Sequence, residues 1–336
     1  KAEELAEKQR EISVSEFFEK NRHLLGFDNP LRALSTTVKE LVDNSLDAIE
    51  DMGVLPDLKV EVIQIDEIRF RIIVTDNGPG VVKEQIPRVF AKLLYGSKFG
   101  RNIQSRGQQG IGVSASVLYG QLTTGKPAKI TSKIGKNKPA HHYELKIDIN
   151  KNEPEIIKDE VVDFSAEHGT KVEIELEGKY QKGRQGVDEY LKQVAIANPH
   201  AELTYINPLK EKIIFKRAIN KPPKEPKSIK PHPYGVEIGI LMRMLNISKG
   251  KTLFGFLSSE FSRVSTNLAK EICAKANIDF NLKPNSINHE QVERLIKTIR
   301  ETKIMAPPLD CLSPIGEQAI VGGLKKEVKG DFYAAI

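Results

Sequence analysis

Glu40-Leu41-Val42-Asp43-Asn44-Ser45-Leu46-Asp47-Ala48 is the stretch from which the rest of the chain can be read. It lies within Pro30 to Met52, where Leu34, Val38, Leu41, Val42, Ser45 and Ala48 recur at helical spacing, so a long helix is predicted. On that helix Glu40 and Asn44 stand one turn apart and share a face. A glutamate can polarise a water for attack on a phosphate. An asparagine carbonyl is a hard oxygen suited to Mg²⁺, which keeps several waters and bridges substrate phosphates. Taken alone, such a pair is more often a solvated helix face, and Asp43 and Asp47 read as just that.

Two further stretches give the pair a context. Asp76-Asn77-Gly78-Pro79-Gly80 follows the β-branched run Ile72-Ile73-Val74-Thr75, so a strand ends by delivering a carboxylate. A carboxylate only accepts hydrogen bonds, which suits the exocyclic amine of adenine. Gly78 and Gly80 would let the backbone take positive φ and approach a flat ligand. On its own the stretch reads first as turn chemistry. Next, Arg106-Gly107-Gln108-Gln109-Gly110-Ile111-Gly112 leads into Val113-Ser114-Ala115-Ser116-Val117-Leu118. Free N–H groups at a helix start bind phosphate, and Lys98 and Arg106 would add positive charge. The spacing is neither a Walker A loop nor a dinucleotide fingerprint. Thr170, where Gly169-Thr170 enters a strand, is placed to hold a water beside a ligand or is simply a strand former.

Around these motifs the chain reads as helices and strands in alternation. Residues 1–20 form a charged arm with Phe17 and Phe18 near its end. Val60–Ile65 and Phe70–Thr75 pair as strands, and Ile86–Tyr95 is helical. Residues 96–109, rich in glycine, serine and basic residues, form a mobile loop. A helix restarts at Ile111, and strands follow over Ala128–Ile149 and Lys171–Leu176. Tyr190–Ala197 is helical, and Glu202–Tyr205 and Ile213–Phe215 are strands. Lys221-Pro222-Pro223-Lys224-Glu225-Pro226 is a linker. Beyond it the chain becomes all-helical, over Val236–Leu245, Thr252–Phe256, Ser265–Ala276 and His289–Thr302, and Pro307-Pro308 closes that unit. Lys179, Lys182 and Arg184 fall in a three-glycine loop, Gly178–Gly186, with no acid. That is either a DNA-phosphate contact or a solvated connection.

Composition bounds these readings. At 336 residues with 39% hydrophobic and 29% charged residues, two or three soluble domains are expected. No apolar run reaches membrane-spanning length, and Lys1-Ala2-Glu3-Glu4-Leu5 has no secretory apolar core. Cys273 and Cys311 are far apart, which argues against a disulfide framework or structural zinc and for a reducing cytosol. A net charge of +6 permits a polyanionic partner.

The three boxes and Gly169-Thr170, in this order, resemble the GHKL ATPase family, which includes gyrase B, MutL, histidine kinases and the heat-shock-ninety chaperones. Within it the wording is most similar to the B subunits of archaeal type IIB topoisomerases (topoisomerase VI). Phe17-Phe18-Glu19-Lys20-Asn21, Gly26-Phe27-Asp28, Leu93-Leu94-Tyr95-Gly96-Ser97-Lys98, Pro231-His232-Pro233-Tyr234-Gly235 and Cys311-Leu312-Ser313-Pro314-Ile315-Gly316-Glu317 all read that way. The resemblance implies an α+β Bergerat-type sandwich over 21–227, preceded by the 1–20 arm as a dimer strap. It implies a helix-two-turn-helix unit over 228–306 and the start of a transducer domain over 307–336.

It also implies roles. Glu40 is then the general base and Asn44 the Mg²⁺ ligand, while Asp76 reads the adenine of ATP with Gly78 and Gly80 beside it. Ser97 and Lys98 contact the nucleotide. Gly107, Gln108, Gln109, Gly110, Ile111, Gly112, Val113 and Ser114 wrap the triphosphate, and Thr170 supports the base. The implied partners are double-stranded DNA, a second B subunit in an ATP-dependent homodimer, and the DNA-cleaving A subunit of topoisomerase VI in a heterotetramer. The implied setting is cytoplasmic, archaeal and nucleoid-associated. A transducer lysine that completes the γ-phosphate site is expected beyond Ile336, so efficient hydrolysis is expected to need further chain. Two other GHKL classes compete. A histidine kinase needs an upstream phospho-accepting histidine, and only loop-like His23 precedes the first box. A MutL-like or chaperone-like clamp would not be expected to carry the helical unit.

Overall fold

The computed structural model describes residues 11–96, 104–106, 110–183 and 186–335. Their contacts divide into two units: the described parts of 1–99, 105–225 and 314–336, and those of 100–104 and 226–313.

The first unit is built on eight strands: β1 (Asp57–Gln64), β2 (Arg69–Asp76), β3 (Ala128–Lys133), β4 (Ala140–Asp148), β5 (Glu153–Val162), β6 (Gly169–Glu177), β7 (Glu202–Ile206) and β8 (Lys212–Phe215). They form one sheet in the order β5-β4-β3-β6-β2-β1-β7-β8. All neighbours are antiparallel except β1 and β7. Alternation sorts the two faces. Val60, Ile72 and Val172 are buried on one face, and their neighbours Lys59, Arg71 and Lys171 stand on the other. The unit is therefore a two-layer sandwich, with helices on the apolar face and charges on the open one.

Among the described residues, five α-helices of this unit precede the second unit: α1 (Val14–Lys20), α2 (Pro30–Asp51), α3 (Ile86–Ala91), α4 (Gly112–Thr124) and α5 (Val187–Ala197). Asn29 caps α2 by accepting from Arg32 N–H at 2.9 Å, and Pro30 takes the first turn, where no N–H is needed. The stripe Leu34, Val38, Leu41, Leu46 and Ile49 seats α2 in the core. Helix α4 is buried from Val113 through Gly120. Its apolar surface runs all round because it is enclosed by α2 on one side and the sheet on the other. A Cβ at Gly120 would lie 2.8 Å from Glu175 O, so only glycine lets α4 close on β6.

Three elements depart from the sequence reading. The helix begun at Ile86 stops at Ala91, not Tyr95, because Asn152 captures the backbone of Leu93: its Nδ2 donates to Leu93 O, and its Oδ1 accepts from Leu93 N–H, each at 3.1 Å. Strand β5 carries no signal in the sequence. It is an edge strand with Ile156, Ile157 and Val161 about half-exposed or more, so no one-sided apolar period marks it. In the described part of the arm, Val14 and Phe18 pack on this unit's own core, while Ile12 and Phe17 stay exposed at 38% and 41%.

The second unit has its own core around four helices: α6 (Ile238–Ile247), α7 (Leu253–Glu260), α8 (Thr266–Lys275) and α9 (His289–Glu301). Thr252, Ser265 and Asn288 cap three of them, the last in a reciprocal capping box with Gln291. The final helix, α10 (Glu317–Glu327), belongs to the first unit, whereas the sequence reading assigns 307–336 to a separate domain. Gly323 explains the docking, since a Cβ there would lie 2.8 Å from Ile196 O on α5.

Candidate functional site

The last residue of β2, Asp76, turns inward beneath α2 and is 9% exposed. Its carboxylate accepts from Ser45 Oγ at 2.9 Å, Gly78 N–H at 2.9 Å and Thr170 N–H at 3.1 Å. Burial pushes this carboxyl up, and the three donors offset that only in part. Three donors fix the direction of the acid. Thr170 Oγ1 lies 3.2 Å from Ser132 Oγ, which also accepts from Val81 N–H at 2.7 Å. The expected positive φ holds for Gly80 but not for Gly78. Gly78 is not at positive φ, and its contribution is the N–H on Asp76. Gly80 is at φ +71°, and a Cβ there would stand 2.2 Å from Lys133 O, so it serves packing on β3.

Glu40 and Asn44 share a face of α2, opposite the start of α4. The space a Cβ on Gly112 would fill is occupied by the Glu40 carboxylate, with Oε2 only 1.7 Å from that position. Burial raises the Glu40 pKa; Lys39 opposes the rise and Asp43 adds to it. Asn44 Nδ2 donates to Glu40 O at 2.8 Å, which leaves its carbonyl oxygen as the outward acceptor. Gly110, at φ +59°, turns the chain into α4. Ile111 is the N-cap residue and has no capping side chain, so among the described residues no side chain caps the N–H groups of Gly112, Val113 and Ser114 that lead the helix. Ser114 Oγ donates back to Ile111 O at 3.0 Å, so its part in any anion cradle is its backbone. The Glu40 carboxylate and the start of α4 thus meet in one space, with the Asn44 amide on the same face of α2. Ser97, Lys98, Gly107, Gln108 and Gln109 lie outside the described residues.

Residues 30–180 match the family described as histidine kinase-, DNA gyrase B- and HSP90-like ATPases. Over 334 residues the chain is 54% identical to the B subunit of type 2 DNA topoisomerase 6 from Methanococcoides burtonii, an alignment spanning 99% of this chain and 54% of that protein. The corresponding protein of Methanosarcina barkeri is 51% identical over the same shares, and that of Archaeoglobus fulgidus 48% over 98% and 55%. Over nearly its whole length this chain is thus similar to topoisomerase 6 B subunits. It spans about half the length of the curated relatives it matches. Among the described residues no helix is long and apolar enough to cross a membrane.

In this chain, several residues that hold the site together are not evident from sequence. Ser45 reads there as one more position of the apolar stripe; a serine at such a position is itself the signal of a buried polar partner, here Asp76. Asp43 and Asp47 are not a solvated face. Asp43 accepts from Tyr190 Oη at 3.0 Å, and Asp47 is 5% exposed. Arg106 is not free to meet phosphate. Its guanidinium donates to Asp47 at 2.9 Å, to both Glu50 oxygens at 2.7 and 2.8 Å, and to Asn198 at 2.5 Å. Burial works against its charge, but Glu50 and Asp47 hold it firmly protonated. His200 Nε2 meets Glu50 Oε1 at 2.8 Å, closing the network.

The glycine loop at 178–186 also gains an acid from outside its own sequence. Lys182 Nζ pairs with Glu211 Oε2 at 2.9 Å, while Lys179 is exposed. Arg184 lies outside the described residues.

Proposed function

We propose that this chain binds ATP with Mg²⁺ at the Asp76–Glu40–Gly112 site and hydrolyses it as the ATP-driven subunit of a type II DNA topoisomerase. Such an enzyme relaxes supercoiled DNA by passing one duplex through a double-strand break made by a separate cleaving subunit. The observation that carries the reading is the close seating of the Glu40 carboxylate against Gly112 at the uncapped start of α4. The base and the anion-binding donors then belong to one site.

In this reading Asp76 accepts from the adenine amine, with Thr170 and Gly78 holding its orientation. The N–H groups of Gly112 to Ser114 receive phosphate oxygens, helped by the helix dipole. Asn44 fits a magnesium site, because its amide nitrogen is occupied by Glu40 O and its hard oxygen is free. Magnesium, when bound, neutralises phosphate charge. Glu40 takes the proton of the attacking water, a task that its raised pKa favours. Ser97, Lys98 and Gly107 to Gln109 join the nucleotide contacts, and ATP favours a B-subunit homodimer within a heterotetramer. Thirteen lysines and arginines against eight acids in residues 226–313 give that helix-two-turn-helix unit +5 of the chain's +6, which supports a polyanion such as DNA as partner.

Glu40→Ala in the full-length protein with its cleaving partner tests this. ATP affinity is expected to stay within a few-fold, while turnover falls by about 10²- to 10⁴-fold and supercoil relaxation stops. Normal hydrolysis in that variant would remove Glu40 from the role.

A further inference from the structure

The strands that present Asp76, Thr170 and Ser132 to the nucleotide site present their next or previous residues to the opposite face of the sheet. Thr75, Lys171 and Lys133 stand there, and cross-strand register joins them. Lys59 pairs with Thr75, Thr75 with Lys171, and Lys171 with Thr131, so Lys59 and Lys171 share one row two strands apart. At strand spacing that is about 10 Å between Cα atoms. Lys133 is the diagonal neighbour of Lys171, at roughly 7–8 Å. With Lys138 from the β3–β4 hairpin and the Val161–Ser165 segment as a wall, these residues line a concave basin of about 790 Å³.

The charge in this basin is uneven. Four lysines line it against two acids, Glu61 and Asp163. Glu61 is already paired with Lys59 at 2.8 Å. Lys133 Nζ is held across the mouth by Ala166 O at 3.0 Å and Phe164 O at 3.4 Å, two neutral carbonyls that leave its charge uncancelled. Lys171 is half-buried and Lys138 exposed, and among the described residues neither has a carboxylate partner. A concavity lined by an excess of one sign of charge concentrates its field.

We propose that this basin is a second anion site, for a compact phosphate anion carrying two or more charges. Lysine is a point-charge phosphate ligand, and the net +2 of the lining matches at least a dianion. The volume is that of a small-molecule site. A duplex is excluded as the favoured occupant because these cations sit on the floor and walls of a bowl. A DNA backbone is convex and is met by protruding groups such as Lys179. The site is separate from the nucleotide pocket, with the β2, β6 and β3 backbones between them.

Calorimetric titration of the 336-residue chain with pyrophosphate tests the assignment, first alone and then with ADP saturating. Binding is expected to persist under ADP, since the basin is on the other face. It is expected to weaken at least about tenfold for each lysine lost in Lys138→Gln/Lys171→Gln, and to vanish in Lys138→Glu/Lys171→Glu. ADP affinity should be unchanged in both variants, which also reports that they are folded. Loss of pyrophosphate binding under ADP would place the anion in the nucleotide pocket and overturn the proposal. So would full binding in the lysine variants, or displacement of pyrophosphate by a short duplex whose own binding needs Lys138 and Lys171. If ADP itself fails to bind, the ATP reading falls, and the lysine variants still decide the basin.

Discussion

Gly112→Ala should separate catalysis from both folding and nucleotide binding. The added Cβ would stand 1.7 Å from Glu40 Oε2, 2.4 Å from Cδ and 3.0 Å from Cγ, and these are the three nearest atoms. All three belong to the end of one flexible side chain. Relief therefore comes from Glu40 swinging out of the site, and α4 need not move. Forcing a side chain off its preferred rotamer costs about 0.5–1.5 kcal/mol. Alanine in place of glycine in a helix returns up to about 1 kcal/mol, and Gly112 is not at a positive φ that alanine would resist. The net change in stability should lie within about 1 kcal/mol of zero.

The chemistry has no such compensation, because a general base displaced from its water loses most of its roughly 10²- to 10⁴-fold effect. In the full-length protein with its partner, a coupled ATPase assay should show turnover down by about 100-fold or more. Equilibrium binding of a non-hydrolysable ATP analogue should change less than about threefold. The double variant Glu40→Ala/Gly112→Ala should be no worse than Glu40→Ala, since both remove one interaction. Turnover within about fivefold of wild type would show that Glu40 is not needed where it lies. An unfolding free energy lowered by more than about 2 kcal/mol would show that the clash was relieved by backbone movement, contrary to the geometry.

Arg106→Ala leaves Asp47 and Glu50 without their cation and should cost about 3 kcal/mol in urea unfolding, with part recovered by adding Asp47→Asn and Glu50→Gln. Burial would raise the Glu50 pKa, but His200 and Arg106 outweigh it and hold it below its usual 4.5. Its stabilisation is thus fully present above that pH and lost as pH falls through the lowered value, and Arg106→Ala should flatten this acid limb of the stability profile. Asp76 as acceptor predicts ATP binding roughly 10- to 100-fold tighter than GTP by calorimetry, and equal affinities would remove it as the adenine reader. Neutralising Lys179, Lys182 and Arg184 should weaken DNA binding alike on all sequences. It should flatten the log affinity–log salt slope by nearer about 2 than about 3 units, because Lys182 is already paired with Glu211; an unchanged slope would return the loop to a solvated connection.

What the sequence made legible and what it hid follow from one distinction. Helix α2, β1, β2 and the α4 start are readable because apolar periodicity and glycine punctuation are local signals. Strand β5 is not, because an edge strand solvated on both faces has no period to show. The end of α3 is misplaced for a related reason: Asn152, 59 residues on from Leu93, decides it. Within the site, Glu40, Asn44 and Asp76 are legible as residue types with a chemistry. The partners that aim them are not. Ser45, Ser132, Asn198 and His200 act through pairings that exist only once the sheet is assembled, and Glu211 reaches Lys182 across 29 residues.

Helix α2 shows why such pairings concentrate where they do. Its 22 residues meet four neighbours on successive faces. Ser45 holds Asp76, Glu40 and Asn44 face the start of α4, Asp43 takes the Tyr190 hydroxyl, and Asp47 with Glu50 grips Arg106. A rotation of one residue, about 100°, would break all four sets at once. The apolar stripe supplies the energy that seats this helix, but an apolar stripe tolerates some sliding and rotation. Hydrogen bonds and ion pairs at four azimuths do not. The polar contacts therefore fix the register that sets Glu40 and Asn44 relative to Asp76. This is also why Arg106, which touches neither Glu40 nor Asn44, is expected to matter to both.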